Sequence, residues 1–453
     1  MKKCNIDTFE KAVDYLYNMP RFTAKHSMED TRAHLERLGA PDRKVHHIIH
    51  VAGTNGKGSV CTYLRYCLEE AGYRVGVFTS PHLVDIRERI VTDGKMISRE
   101  VFLRLFLQVY DSLDWEMLEQ GEGYHPTFFE YLFFMCMLYF AEEQPDFCIL
   151  ETGLGGRLDA TNAVSEKALT VITRIGLDHV EYLGSTIGEI AAEKAGILCR
   201  DVPLVYCAEV PEATGIFVEK AQKLGIAAWP VSKKDYRFQK FHNKTIDFSL
   251  RTRYYGYVEI FLHTIAYYQM ENAALAVRAV EALEERLAQG AEDFKRITEE
   301  QIRGGLAKAF WPGRMEEILP DLFVDGAHNA DGIRAFLDTV REDGCDREAQ
   351  KRILIFSVVQ DKDYRTMIKQ VLAADLFSRI YVPHMHTARA AELTDLQKYW
   401  EENAAEGTEV LFCGNVREAL DGALASRDGA RIYIAGSLYL VGEIKEFFKD
   451  DQF

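Results

Sequence analysis

The residues best suited to chemistry are the glycine-rich segment Gly53, Thr54, Asn55, Gly56, Lys57, Gly58 and Ser59. The segment follows the mostly apolar run 48–52 (IIHVA) and precedes a helical pattern. A buried strand, a glycine-rich turn and a helix N-terminus in that order favour triphosphate binding, because the backbone can approach the phosphates and present free N–H groups. Lys57 can reach the terminal phosphates, and Ser59 offers a hydroxyl to phosphate or magnesium.

The segment differs from the usual G-x-x-x-x-G-K-[ST] loop at two positions. Val51 stands where the first glycine of that loop would be, and Gly58 separates Lys57 from Ser59. The alternative is a glycine-rich turn that binds no ligand. The flanking strand and helix favour the phosphate loop, because they supply the context that the motif requires.

Further polar residues follow the strands of the predicted sheet: Ser80, Glu151 and the pair Asp178-His179. In an open parallel sheet, ligands bind beyond the carboxyl ends of the strands, so we expect these residues on one edge. Ser80, Glu151 and His179, completed by phosphate oxygens and water, would form an octahedral magnesium site.

Each of these three residues also has a purely structural interpretation. Ser80 precedes Pro81 and could be a turn residue, and Glu151 could pair with Arg157. His179 could be a surface histidine with its hydrogen bonds satisfied. Their common position at the strand ends favours the site over these alternatives.

The periodicity of the first two-thirds of the chain predicts strands alternating with helices. Predicted helices cover 9–17, 28–38, 57–71, 98–113, 127–143, 186–195, 267–287 and 298–310. Predicted strands cover 45–52, 74–79, 87–91, 147–150, 169–173 and 202–206, and an antiparallel flap covers 236–263. This alternation predicts a mostly parallel sheet with both faces covered.

Trp311-Pro312-Gly313 is the best linker candidate, and a second α/β series follows it. Its predicted strands cover 321–324, 352–358, 379–382, 409–412 and 431–435. We therefore predict an α/β fold of two domains. The first, 1–310, is a parallel-sheet domain with the phosphate loop, and the second, 311–453, is a smaller Rossmann-like domain.

Composition excludes several classes of partner. The 54 Lys and Arg residues against 70 Asp and Glu give a net charge of −16, which repels nucleic acid and anionic membranes. Nine cysteines without a C-x-x-C pair are typical of free thiols in a reducing compartment. With no leader pattern and no apolar run of membrane-spanning length, the sequence predicts a cytosolic protein.

Longer motifs make a resemblance specific. GTNGKGS is joined by TSPHL at 79–83, TFFE at 127–130, ETGLGGRLDATN at 151–162, LDHVEYLG at 177–184 and IAAEKAGI at 190–197. Asn272, the run 312–314 (PGR), VDGAHN at 324–329 and AGSLYLVGE at 435–443 follow. Together, across essentially the whole chain, these motifs resemble the folylpolyglutamate synthase/dihydrofolate synthase family, which is related to the Mur ligases.

The resemblance implies ATP-dependent amide formation through an acyl phosphate. Lys57 and one or two Mg²⁺ ions would neutralise the approaching anions, with a monovalent cation as a further cofactor. The metal ligands implied are Ser80, Glu151 and His179. The second set of ATP contacts is Asn272, Arg314 and Asp325. His328 and Ser437 match positions near the incoming glutamate.

Two further predictions rest on the same resemblance. Lys194 matches a lysine that carbon dioxide can carbamylate into a metal ligand, so the implied catalytic set is Lys57, Lys194 and His328. From the sequence alone, Lys194 is an ordinary helix lysine paired with Glu193 or Glu189. Thr127, Leu158, Asp159 and Ala160 match pterin contacts, although Thr127 with Glu130 also fits a capping box. Segment 24–30 departs from the family's pterin loop, so we transfer no contacts from it.

Three functions compete at this point. The first is a ligase that adds L-glutamate to folates, also to dihydropteroate, and that acts as a monomer. The second is a Mur-type ligase of cell-wall synthesis. The short segment of about 45 residues before the phosphate loop argues against this function. The third is a P-loop NTPase that is not a ligase. Phosphate release stimulated by glutamate plus folate would separate the first from the third.

Overall fold

The computed structural model describes residues 3–19, 27–242, 244–289, 295–343, 351–403 and 408–448. Cys345 and residues 24–26 of the divergent segment lie outside this part. The helices are α1 Phe9–Tyr17, α2 Met28–Arg37, α3 Lys57–Glu70, α4 Arg99–Asp111, α5 Trp115–Glu119, α6 Phe128–Glu143, α7 Val180–Leu183, α8 Ile187–Lys194, α9 Pro211–Leu224, α10 Gln269–Gln289, α11 Glu299–Lys308, α12 Ala330–Glu342, α13 Tyr364–Ala374, α14 Leu393–Asn403, α15 Val416–Ala425 and α16 Leu438–Glu446.

The strands form three sheets. They are β1 Ile48–Ala52, β2 Val75–Phe78, β3 Ile90–Thr92, β4 Lys95–Met96, β5 Phe147–Glu151, β6 Leu169–Ile172, β7 Leu204–Cys207, β8 Ala228–Val231, β9 Tyr236–His242, β10 Thr245–Arg251, β11 Tyr257–Leu262, β12 Glu316–Leu319, β13 Leu322–Val324, β14 Arg352–Phe356, β15 Arg379–Pro383, β16 Glu409–Cys413 and β17 Arg431–Ala435. Short 3-10 turns cover Pro41–Lys44, Ile86–Arg89, Ala160–Ala163 and Ala195–Ile197.

The first sheet has the order β4-β3-β2-β5-β1-β6-β7-β8. In it the neighbouring strands β2, β5, β1, β6, β7 and β8 run parallel to one another. Every residue of β1 and β5 is buried, because apolar side chains of α3 and α10 cover one face of the sheet and those of α4 and α6 the other. The parallel register brings the ends of β1, β2, β5 and β6 to one edge, as predicted.

The second sheet is antiparallel, in the order β11-β10-β9, and confirms the flap predicted at 236–263. Buried and exposed residues alternate along β11, and the buried face joins the apolar core around α10. We call the part built on these two sheets the first lobe.

The third sheet has the order β12-β13-β17-β14-β15-β16 and is parallel except for the edge strand β12. Apolar clusters cover both of its faces, which is typical of a doubly wound α/β arrangement. We call this part the second lobe. The fold class is therefore confirmed, while the boundary between residues 310 and 311 stays a prediction.

The strand predicted at 87–91 is wrong over its first residues. Asp85 accepts from Arg87 N and Glu88 accepts from Asp85 N, so this stretch forms the 3-10 turn and β3 begins only at Ile90. The sequence patterns also missed α5, α7, α9, β4, β8 and β12. None of the helices in the described part of the chain combines the length and the apolar character needed to cross a bilayer.

Candidate functional site

The glycine-rich segment lies between β1 and α3 with the backbone shape that a phosphate loop needs. Gly56 has φ +91°, and a Cβ there would collide with the side-chain oxygen of Asn272. A Cβ at Gly53, φ +150°, would collide with the Thr173 hydroxyl. Only glycine fits at these two positions, so the spacing of the motif has a steric origin.

Hydrogen bonds from neighbouring elements hold this loop. The N–H groups of Thr54 and Asn55 both donate to the Arg174 carbonyl, at 2.9 and 3.2 Å. Lys57 Nζ donates to the Thr54 carbonyl at 3.3 Å, so the ammonium lies over the loop that it would serve. Ser59 Oγ accepts from Gln269 Nε2 at 3.2 Å, which places the start of α10 beside the loop.

A cavity of about 910 Å³ opens above the loop, between the two lobes, and we call it the nucleotide cavity. It collects every residue predicted for ATP binding, together with the predicted metal ligands and Lys194. These lining residues are Thr54, Asn55, Gly56, Lys57, Gly58, Ser59, Asn272, Arg314, Asp325, Ser80, Glu151, His179 and Lys194. The structure therefore brings the phosphate loop 54–59 together with Asn272, Arg314 and Asp325, which lie more than 200 positions later in the sequence.

The second-lobe side of the nucleotide cavity is built around Asp325, the residue after β13. Its carboxylate accepts from Met315 N at 3.0 Å, Ala327 N at 2.8 Å and Tyr268 Oη at 2.5 Å. Burial raises the pKa of Asp325, and the Arg314 guanidinium and these hydrogen bonds partly offset that rise. A fixed carboxylate of this kind is a suitable acceptor for ribose hydroxyls.

Glu151 is the buried acid among the predicted metal ligands. It is 3% exposed, and Ser80 N donates to its Oε2 at 2.9 Å. Burial raises the pKa of Glu151, and Lys57 partly offsets this effect. A divalent cation would remove the cost of burying this charge, so Glu151 fits the predicted role. Arg157 pairs with Glu193 instead, at 2.9 Å, so the alternative pairing of Glu151 with Arg157 is not found.

His179 lies at the same edge of the sheet. Its ring contacts Lys362, a residue that the sequence analysis did not assign to the site. Its Nε2 lies 3.3 Å from Lys362 Nζ and 3.9 Å from an Asp178 oxygen. Burial lowers the pKa of His179 to about 4, so the imidazole is neutral and able to ligate. Among the described residues, no three His, Cys, Asp or Glu side chains form a metal-binding group on their own.

Lys194 ends α8 and is buried, at 4% exposure. Its Nζ donates to the Gly53 carbonyl at 2.8 Å, which anchors α8 to the phosphate loop. The acids proposed as alternative partners have other roles, since Glu193 binds Arg157 and Glu189 caps the start of α8. Carbamylation of Lys194 stays a prediction.

A second cavity, of about 820 Å³, adjoins the first, and we call it the acceptor cavity. All residues predicted for pterin and glutamate binding line it: Thr127, Leu158, Asp159, Ala160, His328 and Ser437. The two cavities share the wall formed by Ser80, Pro81, Gly153, Leu154, His328 and Leu438. A ligand in one cavity can therefore contact a ligand in the other at this junction.

Several of these polar residues have local structural roles. Thr127 and Glu130 form the predicted capping box of α6, with Glu130 Oε2 accepting from Thr127 N at 2.7 Å. Asp159 accepts from Leu154 N at 2.8 Å and from Thr161 Oγ1 at 2.5 Å, which shapes the loop after β5. Ser437 caps α16 by accepting from Tyr439 N at 3.1 Å.

His328 is the histidine of the wall that the two cavities share. Its Nδ1 lies 2.8 Å from the Gly326 carbonyl, so Nδ1 carries the hydrogen and Nε2 is free of it. Burial and the neighbouring Lys362 lower the pKa of His328 to about 4, so the ring stays neutral. A neutral imidazole with an unprotonated Nε2 at the junction can accept a proton.

Two contacts between the lobes involve residues that the sequence analysis did not assign to the site. The amide groups of Asn55 and Asn329 exchange hydrogen bonds at 3.0 and 3.3 Å. Lys362 forms an ion pair with Asp178, and each side chain is 8% exposed. Burial alone would raise the pKa of Asp178, but Lys362, His328 and His179 together outweigh this effect and lower the pKa. Lys362 follows β14, so the rule that polar residues cluster at strand ends could have indicated it.

Known protein families match the sequence of this chain. Residues 51–280 match the Mur ligase middle domain, and residues 313–438 match the Mur ligase glutamate ligase domain. The dihydrofolate synthase/folylpolyglutamate synthase of Bacillus subtilis (strain 168) is 35% identical over 97% of this chain and 99% of its own length. The chain belongs to the folylpolyglutamate synthase/dihydrofolate synthase family. It is an ATP-dependent ligase, and the non-ligase alternative is set aside.

Solved structures of this family superpose on the whole chain. An FPGS–AMPPCP–folate complex has a TM-score of 0.83 and 27% identity, covering 98% of this chain and all of its own. An Escherichia coli FolC structure in complex with DHPP and ADP has a TM-score of 0.82 and 25% identity, covering 99% of both chains. Both lobes of a folylpolyglutamate synthase/dihydrofolate synthase are therefore present here.

Proposed function

We propose that this chain joins L-glutamate to the carboxyl group of a folate, and also of dihydropteroate, through an acyl phosphate. The observation that carries the proposal is the junction at which the nucleotide and acceptor cavities share a wall. One reactant must be a triphosphate and the other an acid, and only at a shared wall can the two approach while water is kept out.

The bond changes follow from this arrangement. A substrate carboxylate oxygen attacks the γ-phosphorus and ADP leaves, which gives an acyl phosphate. The glutamate nitrogen then attacks the acyl carbon, phosphate leaves and the nitrogen loses a proton. Lys57 would hold the terminal phosphates, while Asn272, Arg314 and Asp325 would orient the nucleotide from the far side. His328 Nε2, at the junction, would accept the proton that the amine loses.

Magnesium would supply the remaining positive charge. Ser80, Glu151 and His179, with phosphate oxygens, are the residues that would hold one or two Mg²⁺ ions, and the buried charge of Glu151 supports this assignment. Lys194 would add a carboxylate-like ligand if carbamylated. In that case Lys194→Ala should lose activity and regain part of it with added short-chain carboxylic acids. Full activity without rescue would contradict the carbamate.

The substrates are assigned from the relatives and from the acceptor cavity. The E. coli FolC complex holds DHPP, and the FPGS complex holds folate. Here Thr127, Leu158, Asp159 and Ala160 would contact the pterin substrate, and His328 and Ser437 the incoming glutamate. The proposal includes a monomer that acts in the cytosol, in keeping with free thiols and an acidic surface.

The test offers the enzyme ATP, magnesium and glutamate with dihydropteroate in one tube and tetrahydrofolate in another. A muramyl nucleotide in a third tube tests the cell-wall alternative. Products weighed by mass spectrometry should gain one glutamate residue in the first two tubes, each with one ADP formed. A gain in mass of the muramyl nucleotide, in place of the two pterin substrates, would overturn the substrate assignment.

A matched pair of lysine variants tests the role of the phosphate loop. Lys57→Ala should lower kcat by about 100-fold or more, because a preorganised cation at the transferring phosphate is removed. Lys223→Ala removes a lysine that pairs with Glu219 on the exposed face of α9, and it should keep the parental rate. Glutamate addition by Lys57→Ala at the parental rate would refute the proposed site.

A further inference from the structure

Gly58 is the residue at which the phosphate loop departs from the usual motif, and a neighbouring side chain explains the departure. Gly58 is buried in the first turn of α3, and its φ lies outside the left-handed region, so its backbone does not require glycine. A Cβ there would lie 2.7 Å from Cζ2 of Trp311, and the three atoms nearest to it all belong to that ring. The indole ring therefore takes the space that the Ser or Thr side chain of the usual motif would fill.

Trp311 belongs to the connecting segment, residues 309–313, which leads from α11 to β12. At its start the segment is fixed to the first lobe, because α11 packs closely on α3. A Cβ at Gly305 of α11 would lie 2.7 Å from Cα of Cys67 in α3. Trp311 continues this contact toward the start of α3, where its ring covers Gly58. The connecting segment therefore contacts the phosphate loop before it enters the second lobe.

At its other end the connecting segment is fixed to the second lobe. Gly326 N donates to the Gly313 carbonyl at 2.8 Å, and Gly313 N donates to Glu316 Oε2 at 2.7 Å. Arg314 comes next in the chain, and a Cβ at Gly326 would collide with its Nη1. The Arg314 guanidinium is thus held over the loop after β13, where it lines the nucleotide cavity.

Lys57 and Arg314 are the two cations proposed to hold the nucleotide from opposite sides. Lys57 precedes Gly58, and Arg314 follows Trp311 by three residues. Ser59, Trp311 and Arg314 also line one small cavity of about 130 Å³, so the connecting segment and the first turn of α3 face each other there. Because protein interiors are closely packed, a rigid ring between these two parts of the chain fixes how far apart the two cations lie.

We infer that Trp311 is a positioning residue for triphosphate binding, because its ring sets the spacing of Lys57 and Arg314 across the nucleotide cavity. This inference rests on the proposed function, since it assumes that the phosphate loop holds ATP. A triphosphate is bound tightly only when the groups on both of its sides are in place at once. The glycine at position 58 then leaves room for the ring.

The test measures the affinity for AMPPCP by calorimetric titration with magnesium present. Trp311→Ala removes the ring and should weaken AMPPCP binding by about 10-fold or more. Trp311→Phe keeps an aromatic ring and should stay within about threefold of the parent. Trp115→Ala is the matched control, because Trp115 is a half-buried residue of α5 outside the lining of both large cavities, and it should leave the affinity unchanged.

A second variant tests whether the effect of Trp311 acts through Gly58. Helix propensity alone favours alanine at position 58, but overpacking against the ring should weaken AMPPCP binding in Gly58→Ala by about 5-fold or more. In the Trp311→Ala background the same change should weaken binding by less than about twofold, because the space is then empty. Equal effects in the two backgrounds would overturn the inference, since residues 58 and 311 would then act independently.

Unchanged AMPPCP affinity in Trp311→Ala, with only a lower midpoint of thermal unfolding, would also overturn the inference, because the ring would then stabilise the fold alone. If Trp311→Ala does not fold, Trp311→Leu takes its place with the same expected loss. Failure of the proposed function appears separately. Parental AMPPCP affinity in Lys57→Ala would show that the phosphate loop does not hold the nucleotide.

Discussion

At the scale of single residues, burial sets the charge of several histidines. His34 lies in the apolar core of the first lobe, with its ring 4.6 Å from that of Phe134 and its Nε2 3.1 Å from Ser112 Oγ. Burial, with a smaller contribution from Arg37, lowers the pKa of His34 to about 4. The neutral ring is therefore part of the folded structure, while the unfolded chain binds a proton near pH 6.5.

The neutral state of buried His34 makes the folded protein less stable at acid pH. Between pH 6.5 and 4 the unfolded state binds more protons at His34 than the folded state, so the free energy of unfolding falls as the pH falls. His34→Gln keeps a hydrogen-bonding group but cannot titrate. It should therefore remove up to about 3 kcal/mol of this acid destabilisation. Urea unfolding at a series of pH values measures the effect, and an unchanged slope in the variant would contradict it.

Glycines at fixed spacing and polar residues at strand ends predicted the phosphate loop and Ser80, Glu151 and His179, because both have direct steric and topological meanings, whereas the other predicted lining residues followed from the family resemblance. Lys362 and Asn329 were not assigned to the site. Their significance comes from the contacts with Asp178 and Asn55, more than 180 and 270 positions away. No local pattern encodes such pairings, which depend on how the two lobes meet.

At the scale of elements, the loop after β5 is held against the end of α8. Arg157 N donates to the Glu193 carbonyl at 2.9 Å, and Asn162 Nδ2 donates to the Gly196 carbonyl at 3.3 Å. A Cβ at Gly196 would collide with the Arg157 backbone. This close approach positions Lys194 against the phosphate loop and the 158–160 segment against the acceptor cavity.

Gly196→Ala should therefore disturb both the fold and the site. Overpacking against a backbone costs about 1–3 kcal/mol, and we expect a lower midpoint of thermal unfolding together with reduced kcat. Gly215→Ala is the control, because Gly215 lies in α9 with open space around it. That change should stabilise the protein by up to about 1 kcal/mol and leave kcat unchanged. Equal melting midpoints for the two variants would contradict this packing.

Periodicity was sufficient to predict the central strands and most of the long helices, since these have a strong apolar pattern of their own, but it missed the 14-residue helix α9. It failed at β12, a short edge strand with half-exposed residues, and at the turn Ile86–Arg89. In that turn, capping by Asp85 and Glu88 outweighs strand propensity. Short edge strands, and turns held by one or two side-chain hydrogen bonds, give too little periodic pattern to be predicted.

At the scale of the whole molecule, contacts of the second lobe with the first complete both cavities. The Asp178–Lys362 ion pair and the Asn55–Asn329 amide pair join the lobes at the edge of the phosphate loop. Removing one member of a buried ion pair leaves an uncompensated charge, which is strongly destabilising. The closed arrangement of the lobes should therefore depend on Lys362.

Lys362→Ala should open the cleft, because Asp178 would then need water to solvate its charge. We expect a larger radius of gyration by small-angle X-ray scattering, and slower glutamate addition. Lys369→Ala, an exposed lysine of α13, is the control and should scatter like the parent. Superimposable scattering curves for Lys362→Ala and the parent would show that the pair does not hold the lobes together.

The acyl phosphate at the junction is the central claim, and an oxygen label tests it most directly. The acid substrate is prepared with ¹⁸O in both oxygens of its reacting carboxylate and converted with ATP and glutamate, and the inorganic phosphate is weighed by mass spectrometry. The account predicts one ¹⁸O atom in each phosphate released, because a carboxylate oxygen bonds to the γ-phosphorus and leaves with it. Phosphate free of label, with one ¹⁸O atom kept in the new amide and the other released as water, would contradict it.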